Sequence, residues 1–266
     1  MELTALQYIF LGIIQGITEW LPISSSGMIT LILSNFYSIT DVGVIIRTAL
    51  FLHLGTFLAA LIYFKKPVWK LTKTIFNYKK QDNETKKIFN FILISTIITG
   101  VIGLAIIKLF SSLNNLEITG KTVSLVVGIL LLITGIIQIK TKRSGIRKER
   151  NLKNRDGIYL GIFQGLATFP GLSRSGITVS TLLLRKFDDT SALRLSFLMS
   201  LPIVLIGNII LNLEDFIFST TALWALLASF VFGLITIHGM IKLSKKINFG
   251  WFIAIFAMLM VISVLV

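Results

Sequence analysis

Six apolar runs of span length divide this chain, at 44–64, 88–110, 122–140, 192–213, 219–241 and 249–266. At 1.5 Å of helical rise per residue, about 20 apolar residues cross a ~30 Å hydrocarbon core. Such runs commit the chain to helix, because a helix satisfies its own backbone hydrogen bonds where lipid offers no partner. Two further apolar regions, 3–37 and 157–187, are broken in the middle by polar motifs. Each half is too short to cross, so each region is expected to be a re-entrant hairpin of two half-helices. The expected fold is an all-α polytopic membrane protein with six full transmembrane helices and two re-entrant helical hairpins. Composition agrees: 54% of the 266 residues are hydrophobic and 14% are charged, too little polar surface for a soluble domain of this size.

The net charge of +14 invites a nucleic-acid reading until the basic residues are located. Twenty-two of the 26 Lys and Arg fall in four short patches, Lys65 to Lys87, Lys140 to Arg155, Arg185 to Arg194 and Lys242 to Lys246. These patches separate apolar segments, so positive-inside topology explains them and no nucleic-acid partner is expected. With all four patches cytoplasmic, 157–187 starts and ends inside the cell, and 3–37 starts and ends outside. The two hairpins then enter from opposite faces of the cell membrane. The N-terminal MELTALQYIF has no basic region and carries Glu2, so it is read as part of the first hairpin rather than as a signal peptide. The absence of cysteine excludes disulfides and thiolate metal sites.

Internal similarity supports the same arrangement. Sliding by 149 positions sets GIIQGITEWLPISSSG (12–27) on GIFQGLATFPGLSRSG (161–176) with seven identities in sixteen. Fixed-offset similarity marks a duplication. Hairpins entering from opposite faces make it an inverted-topology repeat, whose site is expected where the broken helices meet. The chain is therefore read as a single membrane domain, 1–266. One repeat covers about 1–140 and the other about 157–266, joined by a basic cytoplasmic loop, 141–156.

Ionisable residues at membrane depth are costly and point to function. Only Glu19 and Arg174 lie within the two breaks. In the repeat alignment Arg174 falls on Ser25, and Glu19 falls on Thr168. Arginine, hydroxyls and the free N–H groups of half-helix N-termini suit phosphate, through the guanidinium fork and the helix dipole. Glu19 would then hold a proton, orient water or bind a divalent cation that bridges to phosphate. The alternative is a buried Glu–Arg bridge that merely ties the halves together. Ser26 and Ser175 are expected as N-caps of half-helices beginning near them, with Ser25 the stronger nucleophile candidate. His53 could face the pocket from the next span, although a lone histidine in an apolar span more often packs, as His238 is expected to do.

QGITEWLPISSSG followed by PGLSRSGIT resembles the undecaprenyl-diphosphate phosphatase family, the bacitracin-resistance type of integral membrane phosphatase, across essentially the whole chain. The resemblance implies removal of the terminal phosphate from a C55-type polyprenyl diphosphate, which recycles the lipid carrier. It also implies help from a divalent cation, Mg²⁺ or Ca²⁺, and a site open to the outer face. Carried over, the family pattern makes Glu19 the metal ligand or a base and Ser25 the nucleophile, while Gln15 replaces a carboxylate that some members use with the metal; Ser24 and Ser26 are expected to bind the substrate phosphate. Ser173, Arg174, Ser175 and Thr178 surround the phosphate. The chain departs from the pattern at Met28, where many members carry a histidine.

Three readings of Met28 stay open. Glu19 acts unaided in a slower enzyme, His53 supplies the missing imidazole, or hydrolysis is lost and the chain carries polyprenyl phosphate across the membrane. The expected activity is the phosphatase, with a non-hydrolytic transporter as its rival. The sequence leaves the oligomeric state open, with a homodimer among the options.

Overall fold

Backbone satisfaction in lipid demands helix, and helix is what the computed structural model contains. It describes residues 3–39, 41–112, 145–168, 172–212 and 220–244, with scattered positions between 125 and 139 and between 246 and 262. The helices are α1 (Ala5–Thr18), α2 (Ser25–Asn35), α3 (Val42–Tyr63), α4 (Lys65–Asn77), α5 (Asn83–Ser112), α6 (Asn154–Leu166), α7 (Arg174–Leu184), α8 (Asp189–Asn212) and α9 (Thr220–Leu243). Among the described residues, four stretches are long and apolar enough to cross a membrane: Gly43–Tyr63, Asn83–Leu109, Asp189–Ile210 and Thr220–Leu243. They correspond to the predicted runs 44–64, 88–110, 192–213 and 219–241. The predicted spans 122–140 and 249–266 lie mostly outside the described residues. On α9 the exposed residues Leu223, Leu227, Val231 and Ile235 recur every four positions, an apolar stripe that suits lipid rather than water.

The remaining helices of the two predicted hairpins are short. α1 and α6 have 14 and 13 residues, and α2 and α7 have 11 each. At ~1.5 Å per residue none reaches across a ~30 Å core. α1 and α2 are separated by the break at residues 19–24, and α6 and α7 by the break after Leu166.

Each long half-helix lies against a span from the other half of the chain. α1 packs on α9 at Gly12, where an added Cβ would sit 2.2 Å from the Ala225 carbonyl oxygen. α6 packs on α5 at Gly161, where an added Cβ would sit 2.7 Å from Ile98 Cβ. Both contacts use small residues four apart, Gly12 with Gly16 and Gly161 with Gly165, the spacing that lets helices approach closely in lipid. The core lies between these pairs. Trp20, buried in the first break, meets the Phe197 ring edge-on at 4.8 Å, and Phe64 closes the cluster from the end of α3.

The 145–153 segment seats against the start of α6 and the end of α7 through Asp156, which is fully buried. Arg147 Nη1 and Nη2 donate to its two oxygens at 3.1 and 2.6 Å, Arg185 Nε donates to Oδ1, and the Lys153 N–H donates to Oδ2 at 2.8 Å. Arg147 also lies over the Phe187 ring, 4.2 Å from its centroid. Burial alone would raise the Asp156 pKa, but the two guanidinium groups and the amide bond overcome it and hold the carboxyl below its ordinary value.

A depressed carboxylate contributes stability that is present above its unfolded-state pKa and is lost as pH falls through the lower folded-state value. Thermal unfolding in detergent should therefore show a stability loss below about pH 4 that is smaller in Asp156→Asn, which is itself less stable at neutral pH. Gly12→Leu should lower the melting temperature, with a cost of about 1–3 kcal/mol for overpacking. Gly100→Ala, whose Cβ meets nothing within 4 Å, should leave it unchanged or raise it.

Candidate active site

The two breaks turn the chain by the same local device. Ser24 caps α2 by accepting from the Gly27 N–H at 3.1 Å, and Ser173 caps α7 by accepting from the Gly176 N–H at 3.1 Å. The caps thus lie two residues before the expected Ser26 and Ser175. A capping hydroxyl bonds the third helical N–H, and in S-x-x-G the glycine leaves room for it: an added Cβ at Gly27 or Gly176 would sit 3.1 Å from the serine Oγ. Ser25 and Arg174, which align in the repeat, become the first residues of their helices. The N–H groups of Ser25, Ser26, Arg174 and Ser175 precede the first intrahelical bonds, made by Met28 N–H and Ile177 N–H.

Glu19, at the C-terminal end of α1 and 5% exposed, joins these two starts. Its Oε1 pairs with Arg174 Nη2 across 155 residues of sequence. Its Oε2 accepts from Ser25 Oγ at 2.6 Å and from Gln15 Nε2 at 2.9 Å. His53 Nε2 stands 3.1 Å from the same oxygen. The other ring nitrogen, Nδ1, lies 2.6 Å from the Ala49 carbonyl oxygen, which can only accept, so Nδ1 carries hydrogen. The Nε2–Oε2 contact then holds a proton between imidazole and carboxylate. His53 thus reaches this carboxylate from α3. His238 is remote from it and meets the Tyr63 ring edge-on, 6.2 Å between centroids.

Ser175 Oγ donates to the Leu21 carbonyl oxygen, a second bond between the two breaks. Ser24 and Ser26 lie 3.4 Å apart through their hydroxyls. Ser173 and Thr178 stand behind the site. Ser173 is 1% exposed with Oγ 3.2 Å from Ser175 Oγ, while Thr178 is fully buried and ties α7 to α8 through Ser196 Oγ at 2.6 Å. Gln15 also lies behind Glu19, and its Oε1 has no partner. The structure therefore brings Ser24, Ser25, Ser26, His53, Arg174, Ser175 and Glu19 to one cavity and leaves Gln15, Ser173 and Thr178 outside its lining.

That cavity measures about 790 Å³ and is mostly apolar beyond its polar end. Its walls come from the first half of α3, the second half of α5 and the last turns of α8, with Ile45, Leu104, Ile107, Ile203 and Ile210 among them. In each of these helices, the other end adjoins a basic patch, Lys65–Lys87 or Arg185–Arg194. Sequence reasoning missed three features of this wall. Gly100 and Gly207 sit inside helices yet an added Cβ would meet nothing within 4 Å at either, so their missing side chains widen the cavity. Asn208, 6% exposed, leaves Oδ1 unpartnered there. Asn208 was visible as an amide in an apolar run, a signal that attention to ionisable residues alone passes over.

A resident divalent cation does not fit these residues. Among the described residues no three His, Cys, Asp or Glu side chains cluster. Among the described residues Glu19 is the single carboxylate of the cavity, and both of its oxygens already accept from or pair with protein donors. Substrate phosphates would have to supply most of the ligands of any such ion.

Residues 8–262 match the family described as Bacitracin resistance protein BacA. The chain belongs to that family. A relative from Methanococcoides burtonii, named undecaprenyl-diphosphatase, is 41% identical over 250 residues, 92% of each chain. Relatives of the same name from Haloarcula marismortui and Korarchaeum cryptofilum are each 36% identical, over 91% and 90% of this chain and 90% of their own lengths. In this BacA-family chain the two motif breaks thus converge on one carboxylate.

Removing one partner of a buried pair leaves the other charge uncompensated. Glu19→Ala should destabilise the protein by about 3–5 kcal/mol, read by denaturant unfolding in detergent. Arg174→Met in the same chain should recover part of that loss.

Proposed function

We propose that this chain hydrolyses a long-chain polyprenyl diphosphate of the undecaprenyl type to the monophosphate and inorganic phosphate. The observation that carries this reading is the meeting of Ser25 and Arg174, each the first residue of a half-helix, on Glu19 at the polar end of a large apolar cavity. The relatives' shared name supplies the substrate class. A transporter would use the same cavity, but that name describes hydrolysis.

Among the described residues only Nη2 of Arg174 is engaged by a side chain, which leaves the rest of the fork for phosphate oxygens. The leading N–H groups of α2 and α7 add donors and a favourable dipole. Ser25 Oγ, whose hydrogen already points to Glu19, attacks the terminal phosphorus in line with the anhydride oxygen. Its proton passes to the Glu19–His53 pair and on to the bridging oxygen as the anhydride P–O bond breaks, and the lipid monophosphate leaves with that oxygen. Water then attacks the phosphoserine, gives its proton to the pair, and inorganic phosphate departs as Ser25 Oγ regains a proton. Arg174 and the amide donors offset the charge that develops on the transferring phosphoryl group, the main protein contribution to such chemistry. No step runs through a resident metal. The isoprenoid tail lies against the apolar walls and reaches the bilayer between α2, α5 and α8.

The same reading gives the chain six full spans and two re-entrant hairpins in an inverted repeat. The exchange of partners, α1 on α9 and α6 on α5, supports it. With the basic patches in the cytoplasm, the cavity at the opposite helix ends opens outward.

The test is inorganic phosphate release from undecaprenyl diphosphate by purified protein, with Mg²⁺, with Ca²⁺ and with chelator. Ser25→Ala and Arg174→Ala should each lower kcat/KM by about 10²–10³-fold. His53→Gln, which keeps a hydrogen-bond donor near Glu19, should lower kcat by about 10²-fold and change the pH–rate profile. Activity lost with chelator would show that the diphosphate brings a cation with it. Protein that binds the lipid but releases no phosphate would overturn hydrolysis and restore the transporter.

A further inference from the structure

A second cavity, of about 340 Å³, opens on the face that carries the basic patches. It lies where α3 passes into α4, beside the start of α8 and the end of α9. Lys65, Lys66 and Arg194 line it with Thr190, and Tyr63 and Ile241 give it an apolar flank. Among the described residues, no carboxylate belongs to its lining. Arg194 Nε is 3.2 Å from Glu149 Oε1, while neither Lys65 nor Lys66 is ion-paired among the described residues.

The helix that leaves this cavity has three distinct faces. Val68, Leu71 and the fully buried Thr74 turn to the protein. Lys66, Lys70, Lys73 and Asn77, spaced three and four apart, make a cationic face. Trp69 and Phe76, seven residues apart, make an apolar face, and they are 62 and 80% exposed. Lys73 Nζ sits 5.0 Å from the Trp69 ring centroid, at the border of the last two faces. Exposed Trp and Phe beside a lysine row are costly in water but suit the headgroup boundary of a bilayer, where rings meet acyl chains and ammonium groups meet phosphates. Basic cavities between spans on such a face match anionic headgroups.

We propose that the Lys65–Lys66–Arg194 cavity binds the phosphate-bearing headgroup of an anionic phospholipid, with α4 lying in the interface and its Trp69 and Phe76 against the acyl chains. The site is separate from the polyprenyl cavity. Both use α3 and α8, but at opposite ends, and His53 lies ten residues, about 15 Å, from Tyr63.

The test uses the purified, delipidated full-length protein in a neutral detergent. It is titrated with phosphatidylglycerol, with phosphatidylcholine and with inorganic phosphate, and retained lipid is read by native mass spectrometry. Phosphatidylglycerol should bind at least about tenfold more tightly than phosphatidylcholine. Lys65→Gln/Lys66→Gln should cut its affinity by about tenfold or more, and Lys65→Arg/Lys66→Arg should restore it. The control Lys79→Gln/Lys80→Gln removes the same charge from the same patch outside the cavity and should change affinity by less than about twofold. Brominated phosphatidylglycerol should quench a tryptophan signal that Trp69→Phe lacks. Equal losses in the two glutamine doubles would reduce the attraction to diffuse surface charge and overturn the site. Displacement of the lipid by millimolar inorganic phosphate would make it a free-anion site and overturn the lipid assignment.

Discussion

The buried ion pair between Glu19 and Arg174 is the contact on which the arrangement depends. A lone carboxylate or guanidinium at membrane depth costs several kcal/mol, and each offsets the other only if they touch with good geometry. They lie in different halves of the chain, so satisfying either one forces the two breaks together. Once the breaks meet, Ser25 and the N–H groups that open α2 and α7 surround the same point. The pair is also suited to a phosphate ligand. A guanidinium held by one nitrogen can still present its fork, and a carboxylate already accepting a serine hydrogen is placed to take that proton.

The apolar helices supply the rigidity that the pair needs. Glycines four residues apart seat α1 on α9 and α6 on α5, so each half of the chain holds the other's short helix. A helix swap of this kind leaves little freedom for one break to withdraw from the other. Elsewhere small residues act in the opposite sense. Gly100 and Gly207 meet nothing, and the space they leave belongs to the cavity. The same residue type closes one interface and opens another, according to whether a neighbouring helix fills the gap.

Much of this is legible in the order of residues along the chain. Run lengths of about 20 residues predict spans, the 149-residue offset predicts two related halves, and two charges in otherwise apolar breaks predict a site. Other features are not. The caps fall on Ser24 and Ser173 rather than Ser26 and Ser175, because the glycine three residues on decides which hydroxyl has room to accept. Thr178 and Ser173 belong to the motif in sequence yet turn toward α8 and the helix start, since successive residues of a helix point in different directions. Met28 marks an imidazole as missing, but nothing in the sequence distinguishes His53 from a packing histidine.

Local chemistry therefore determined the helices, the breaks and the residue types at the site, because span length, turn preference and the cost of buried charge act over a few residues at a time. Which groups touch was decided by tertiary structure alone. Glu19 meets Arg174, His53 and Ser25 through helix packing across as many as 155 positions. The cavity walls likewise come from α3, α5 and α8, three helices remote from one another in sequence. Contacts at that range follow from how side chains and helix axes fit in space, and no stretch of sequence read by itself carries that information.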